Sequence, residues 1–224
     1  MNSQDAFEAI RSEIQRIRPG CRLLAVSKGQ TPDKIRALYE RGQREFGENY
    51  LQELEVKAAA LADLTDLHWV FIGQLQSNKI QRIVAVADEI QTAASEKHLR
   101  YIDRWARDAG KARYPVFLEV NAGQEGTKAG VEPTGVPALA ELAGAMTGIS
   151  LLGVMAIPPA DIRDELYVLS GTPPPKLFLS LRLLADAVGM GKLSLGMSAD
   201  YRTALAAGTD CVRIGRSLFG ERVD

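Results

Sequence analysis

The chain has little of what would make it a disulfide-stapled, metal-binding or membrane-spanning protein. Cys21 and Cys211 are its only cysteines. They are too few for a disulfide framework and are not spaced like zinc ligands. His68 and His98 are its only histidines, so no metal site is expected. Neither sign of charge is in excess. The 27 Lys and Arg against 28 Asp and Glu leave a formal net charge of −1, which gives no basic field to attract nucleic acid or acidic lipid. No apolar run approaches membrane-spanning length, and the longest, at 23–26 and 151–157, are strand-sized. The opening MNSQDAFEAIRSEIQRIRP is charged and lacks the apolar centre of a signal peptide. The expectation is a soluble, cytoplasmic protein with reduced thiols.

What is present points to a folded α/β protein. Apolar residues make up 46% of the 224, enough to argue for a globular chain over a disordered one. That length suits one large domain or two small ones. No internal repeat or linker divides it, so a single domain over 1–224 is expected. Short apolar runs alternate with longer amphipathic stretches, as βαβ units do. Eight strands are predicted, at 22–27, 44–47, 68–72, 89–92, 115–121, 151–157, 192–196 and 211–215. The second and fourth are short.

Helical patterns lie between the strands. Thr31-Pro32-Asp33-Lys34 opens one, with Thr31 at the N-cap and Pro32 at the first helical position. Others are predicted at 49–63, 76–87, 95–109, 136–146, 176–188 and 198–207, the last stopped by Gly208. An extra helix at 4–17 precedes the first strand, its apolar face set by Phe7, Ile10, Ile14 and Ile17. Eight such units in this length fit a closed (β/α)8 TIM barrel better than an open doubly wound sheet. The Pro- and Gly-rich stretch 158–175 reads as a long loop over the mouth. In a closed barrel Cys21 and Cys211 should be neighbours at the N-terminal rim, both reduced.

Function in such a barrel belongs at the C-terminal strand ends. The first strand ends in Leu24-Ala25-Val26-Ser27-Lys28-Gly29. Alternation puts Leu24, Val26 and Lys28 on one face, and Ala25 and Ser27 on the other. An amine projecting into an apolar mouth loses solvation, which favours its neutral, nucleophilic form and imine formation with an aldehyde. The alternative is a lysine that reaches out to water. Near the other end of the chain, Leu195-Gly196-Met197-Ser198 and Ile214-Gly215-Arg216-Ser217 are strand ends running into glycine turns, with Ser198 placed to cap a helix. A single glycine turn needs no function. Two of them, after the seventh and eighth strands, are where barrels of this kind bind phosphate. A lysine beside a phosphate site calls for an aldehyde that carries a phosphate, and pyridoxal phosphate is both.

The blocks LLAVSK, FGENY (46–50), FIGQLQSNK (71–79), GVMAIP (153–158), SLGMSADY (194–201) and VRIGRSLFG (212–220) together resemble the pyridoxal phosphate homeostasis protein family. That family shares its barrel with the N-terminal domain of alanine racemase. The resemblance runs in order from about residue 23 onward. It implies that Lys28 is the Schiff-base lysine, that Ser198 with the backbone of Gly215 and Arg216 cradles the phosphate, that Arg213 faces the pyridine nitrogen, and that Asn49 and Met155 line the ring. A guanidinium at that nitrogen cannot accept a proton, which leaves the cofactor a weak electron sink. The alternative for Arg213 is an ion pair with a carboxylate across the barrel.

Where the family reads Trp-His-Phe before its Ile-Gly, this chain has His68-Trp69-Val70-Phe71. The histidine is displaced by two positions, and no role is carried onto His68. Racemases of this barrel type add a β-rich C-terminal domain that supplies a second acid/base group. Only Glu221-Arg222-Val223-Asp224 follows Gly220 here. The expected function is therefore cofactor homeostasis or transfer, not turnover, with apo pyridoxal-phosphate enzymes as recipients. A weak amino-acid racemase or a Schiff-base lyase using the same lysine is the alternative. A monomer is expected, because no helix pattern shows an unmatched apolar stripe.

Overall fold

Each short apolar run is flanked by chain long enough to form a covering helix, so each becomes a strand buried on both faces. The computed structural model describes residues 3–123 and 130–220. In it the strands are β1 Arg22–Val26, β2 Glu45–Glu48, β3 His68–Phe71, β4 Glu89–Ala93, β5 Tyr114–Val120, β6 Ile149–Ala156, β7 Lys192–Ser194 and β8 Cys211–Ile214. They pair in parallel in chain order, and β8 returns to β1 with Arg22 opposite Cys211 and Ala25 opposite Ile214. The sheet is thus a closed (β/α)8 barrel. Helix α1 Ser3–Ile17 precedes it. Around it run α2 Pro32–Glu40, α3 Leu51–Ala60, α4 Ile80–Val86, α5 Glu96–Asp108, α6 Val136–Gly144, α7 Lys176–Asp186, α8 Tyr201–Ala206 and α9 Arg216–Phe219. None of the described helices is long and apolar enough to cross a membrane.

Strand alternation divides the core in two. Ala25, Phe46, Trp69, Phe71, Val116 and Leu118 face outward and join Ile35, Leu54, Ile83 and Ile102 of the helices in one apolar layer. Leu24, Val70 and Cys211 face inward as a small separate cluster. Much of the remaining interior is polar. Arg22 pairs with Glu45 at 2.9 Å and with Glu89 at 3.0 Å. Gln91 Nε2 donates to Glu89 Oε1 at 2.7 Å, and Ser194 Oγ donates to Gln91 Oε1 at 2.8 Å. Arg213 Nη1 donates to Ser194 Oγ at 2.7 Å. A hydrogen-bonded column therefore links the N-terminal end of the barrel to Arg213, and its buried members Glu89, Gln91, Ser194 and Arg213 each have a partner.

Several boundaries differ from the sequence expectation. Strand β2 is shifted by one residue. Helix α3 starts at Leu51 because Asn49 stays outside it and Tyr50, at φ −123°, is the N-cap. The stretch predicted helical at 76–87 opens as a 3₁₀ turn, Ser77–Lys79. Thr31 holds the N-cap position of α2 but makes no capping bond with its side chain. Ser95 does cap α5, accepting from His98 N at 3.1 Å.

The largest correction concerns 198–207. Helix α8 begins at Tyr201, so Ser198 does not cap it. Instead the buried Asp164 reaches in from the preceding loop. Its Oδ1 accepts from Thr203 N and Thr203 Oγ1, both at 2.8 Å, and its Oδ2 accepts from Arg202 N at 3.2 Å. The loop at 158–175 folds into two short 3₁₀ turns, Asp164–Leu166 and Val168–Ser170, beside α8. Gly208 ends α8 with φ 90°, a left-handed position that glycine takes without strain.

The cysteines are neighbours, since Cys211 lies opposite the residue that follows Cys21. Both are free thiols. Burial, with the nearby Cys211, pushes Cys21 up to about 12, and burial pushes Cys211 up to about 11. On α7 the exposed Leu179 and Leu183 are four residues apart. The absence of an unmatched apolar stripe, the ground for expecting a monomer, does not hold for this helix.

Replacing Asp164 with Ala strips α8 of its cap and leaves buried donors unpaired. The expected loss is about 2–3 kcal/mol of stability, read from denaturant unfolding. A change under about 0.5 kcal/mol would show that the cap is dispensable.

Candidate functional site

The seven residues singled out in the sequence converge. Lys28, Asn49, Met155, Ser198, Arg213, Gly215 and Arg216 all line one cavity of about 570 Å³ at the C-terminal mouth of the barrel. This lies within the range of small-molecule sites, about 300–1,000 Å³. Lys28 follows β1, Asn49 follows β2, Met155 is near the end of β6, and Arg213 belongs to β8. Ser198 lies in the turn after β7, and Gly215 and Arg216 join β8 to α9. Val26, Ile72, Ile157 and Met197 add apolar wall. A smaller cavity of about 300 Å³, lined by Arg22 and Glu45 among others, contains none of the seven.

Local geometry shows why the turns take these residues. At Gly196, φ is 102° and an added Cβ would lie 2.6 Å from Ala204 Cβ. Only glycine lets the chain fold tightly there and deliver Ser198 to the mouth. The turn is closed by Asp200, whose Oδ1 accepts from Met197 N at 2.7 Å. At Gly215 a Cβ would come within 3.1 Å of Val26 O, so a side chain would push the end of β8 away from β1. Helix α9 starts at Arg216, and the first N–H groups of a helix have no intrahelical acceptor. Of the two helix starts expected to face an anion, only α9 is adjacent to its glycine turn. Ser198 offers its hydroxyl and the turn backbone.

Arg213 is almost wholly buried, and its partners are neutral. Nη1 donates to Ser194 O at 2.8 Å and to Ser194 Oγ at 2.7 Å, while Nη2 donates to Ala156 O at 2.8 Å. The alternative of a carboxylate ion pair is not what these hydrogen bonds build. Burial lowers the guanidinium from its usual value, and nearby Asp200 and Glu119 oppose that shift. Asn49 Oδ1 is buried without a hydrogen-bond partner among the described residues, an acceptor directed at no protein donor.

Other residues of suitable chemistry lie elsewhere. His68 is exposed at the first residue of β3, the end of the strand remote from the mouth. Lys79 sits in the 3₁₀ turn before α4 and is not part of the cavity wall. Lys128 lies outside the described residues. Glu119 went unnoticed in the sequence. It stands opposite Met155 in the β5–β6 register, and burial raises its carboxyl above the usual value while Arg213 opposes the shift. The available signal was parity, because Glu119 alternates with the outward Leu118 and Val120. Among the described residues no cluster of His, Cys, Asp and Glu could hold a metal ion.

Burial pushes Asp200 up to about 6 from its ordinary 3.8. The folded state therefore binds a proton more readily than the unfolded one, and this contribution to stability is lost as pH rises from about 4 through 6. Asp200→Asn keeps an acceptor for Met197 N and removes the titration. The expected result is a gain of about 1–3 kcal/mol over wild type at pH 7 that vanishes near pH 4, measured by denaturation at several pH values. Parallel pH profiles in the two proteins would contradict the assignment.

The sequence matches the family described as alanine racemase, N-terminal domain, over residues 3–223. It is 40% identical over 202 residues to the pyridoxal phosphate homeostasis protein of Pseudomonas aeruginosa, covering 89% of this chain and 84% of that one. The structure of PipY from Synechococcus elongatus with PLP bound superposes with a TM-score of 0.80 at 31% identity, covering 98% of this chain and 100% of that one. Alanine racemase of Clostridium difficile shares the fold at 16% identity, with a TM-score of 0.73 over 98% of this chain and 58% of that one. On this sequence likeness and on the closed barrel that carries it, the chain belongs to the pyridoxal phosphate homeostasis protein family.

Proposed function

We propose that this protein binds pyridoxal phosphate as a Schiff base on Lys28 and acts in cofactor homeostasis or transfer. The observation that carries the reading is one cavity in which the Lys28 side chain meets Ser198 and the Gly215–Arg216 turn. An amine and an anion cradle in one cavity suit a phosphorylated aldehyde. Ser198 and the N–H groups of Gly215 and Arg216 hold the phosphate. Arg213, fixed by Ser194 and Ala156, faces the pyridine nitrogen, while Asn49 and Met155 line the ring. The unpartnered Asn49 Oδ1 fits a ligand that brings its own donor. When bound, the cofactor supplies an aldehyde that condenses reversibly with a primary amine. PipY, with PLP bound, is the related structure that supports the choice.

Carrier and enzyme differ in how many groups can move protons. Among the described residues lining the cavity there is no histidine, tyrosine or carboxylate to serve as a second acid/base group beside Lys28. Two-sided proton transfer needs two positioned groups. Arg213 at the ring nitrogen further weakens electron withdrawal. Lys28 therefore serves to hold the aldehyde and release it by amine exchange, delivering it to apo pyridoxal-phosphate enzymes. This reading takes the chain as one cytoplasmic domain, 1–224, acting as a monomer.

Borohydride reduction of the loaded protein followed by peptide mapping is expected to place the pyridoxyl group on Lys28. Label found mainly on Lys79 or Lys128 would sink the assignment. Steady turnover of D- or L-amino acids by the loaded protein would move the reading to a racemase or lyase.

Ser198→Ala should weaken cofactor binding by roughly ten- to a hundredfold, the loss of one hydrogen bond to a charged group at about 1.5–3 kcal/mol. Stability of the empty protein should stay within about 0.5 kcal/mol, because Ser198 caps no helix. Unchanged affinity in a titration followed by absorbance would put the phosphate elsewhere.

A further inference from the structure

We infer that Glu48, Glu53 and Lys57 form a clamp behind the barrel mouth that aims Lys28, and that all three are positioning residues for its bond to an aldehyde. The inference rests on the Schiff-base reading of Lys28. Lys57 of α3 is buried, and its ammonium donates to Glu48 Oε1 at 2.7 Å, to Glu53 Oε2 at 2.7 Å and to Ser27 O at 2.8 Å. Those three bonds use all three of its hydrogens. Ser27 Oγ donates to the same Glu48 Oε1 at 2.6 Å. Gly29 N donates to Glu53 Oε2 at 2.8 Å. The residues on both sides of Lys28 are thus tied to one ion cluster, Ser27 through its carbonyl and hydroxyl, Gly29 through its N–H.

The placement of the cluster says what it does. Glu48 and Ser27 face outward from the sheet toward α3, and none of Ser27, Glu48, Glu53 and Lys57 lines the cavity. Their bonds to Ser27 and Gly29 act on the backbone that carries Lys28. Burial raises the Glu48 carboxyl above its usual value while Lys57 and Ser27 oppose the shift, so the group is held in an unfavourable place by specific bonds. Ion clusters this deep add little net stability over apolar side chains of similar volume. What these bonds do supply is direction. With Gly29 at φ 68° and Gln30 N bonded back to Ser27 O at 3.0 Å, the backbone is fixed on both sides of Lys28, which lines the mouth.

Removing Lys57 would strand a buried carboxylate, so the test uses Glu53, whose side chain is one-third exposed. Two ligands are titrated into the full-length protein. Pyridoxal phosphate can bond to Lys28, whereas pyridoxamine phosphate has the same ring and phosphate but no aldehyde. Glu53→Ala is expected to weaken pyridoxal phosphate about tenfold, the lower end for a lost hydrogen bond to a charged group, and to leave pyridoxamine phosphate within about twofold of wild type. Glu53→Gln retains an oxygen for Gly29 N and should recover most of the loss. Equal weakening of both ligands, or of neither, overturns the clamp. A wild-type protein that binds both ligands alike, with no reducible bond at Lys28, overturns the Schiff-base reading and the clamp with it.

Discussion

The pairing of β8 with β1 is the constraint on which the site depends. It sets Arg22 against Cys211 and Ala25 against Ile214. Because the register is parallel and in step, the residues just past each strand also lie side by side. Lys28 and the Gly215–Arg216 turn are almost the whole chain apart in sequence, yet they share one cavity. The close contact of Gly215 with Val26 O belongs to the same seam, where a side chain would open the mouth at the point the cradle needs it closed.

Closure also creates an interior that must be filled. An ordinary barrel fills it with branched apolar side chains. Here Leu24, Val70 and Cys211 do so only in part, and a polar column from Glu45 through Arg22, Glu89, Gln91 and Ser194 to Arg213 occupies much of the rest. Its cost is limited because the buried groups satisfy one another. Its benefit to the site is that Arg213 enters the floor of the cavity already held at Ser194 and Ala156, so its charge is fixed in place and spends little freedom on a ligand.

The two sides of the sheet therefore do different work on the same few residues. The interior column presents Arg213 from below. On the outer side, α3 and the end of β2 hold the backbone around Lys28 with the Glu48, Glu53 and Lys57 cluster. After β7, Asp164 and Asp200 divide the task of fixing α8 and the Met197–Ser198 turn. In each case groups outside the cavity hold the elements that carry residues inside it.

Much of this was legible in the sequence because it depends on local pattern. Alternation in Leu24–Lys28 assigned the two faces correctly, glycines at 196, 208 and 215 marked turns, and eight short apolar runs implied the closed barrel. All seven proposed site residues share the cavity, since each lies at or just past a strand end, where the fold class alone directs function. Other features depended on contacts distant in sequence. Ser198 has the chemistry of an N-cap, but Asp164, thirty-odd residues earlier, reaches the first N–H groups of α8, so the helix starts later. Glu48, Lys57 and Glu119 read as ordinary charges until tertiary packing buries them. The sequence by itself determined the order of elements and which strand ends carry chemistry, because periodicity and turn residues are local. Only the tertiary structure decided which charges are buried and which groups they hold, because a partner across the fold leaves no mark in the residues beside it.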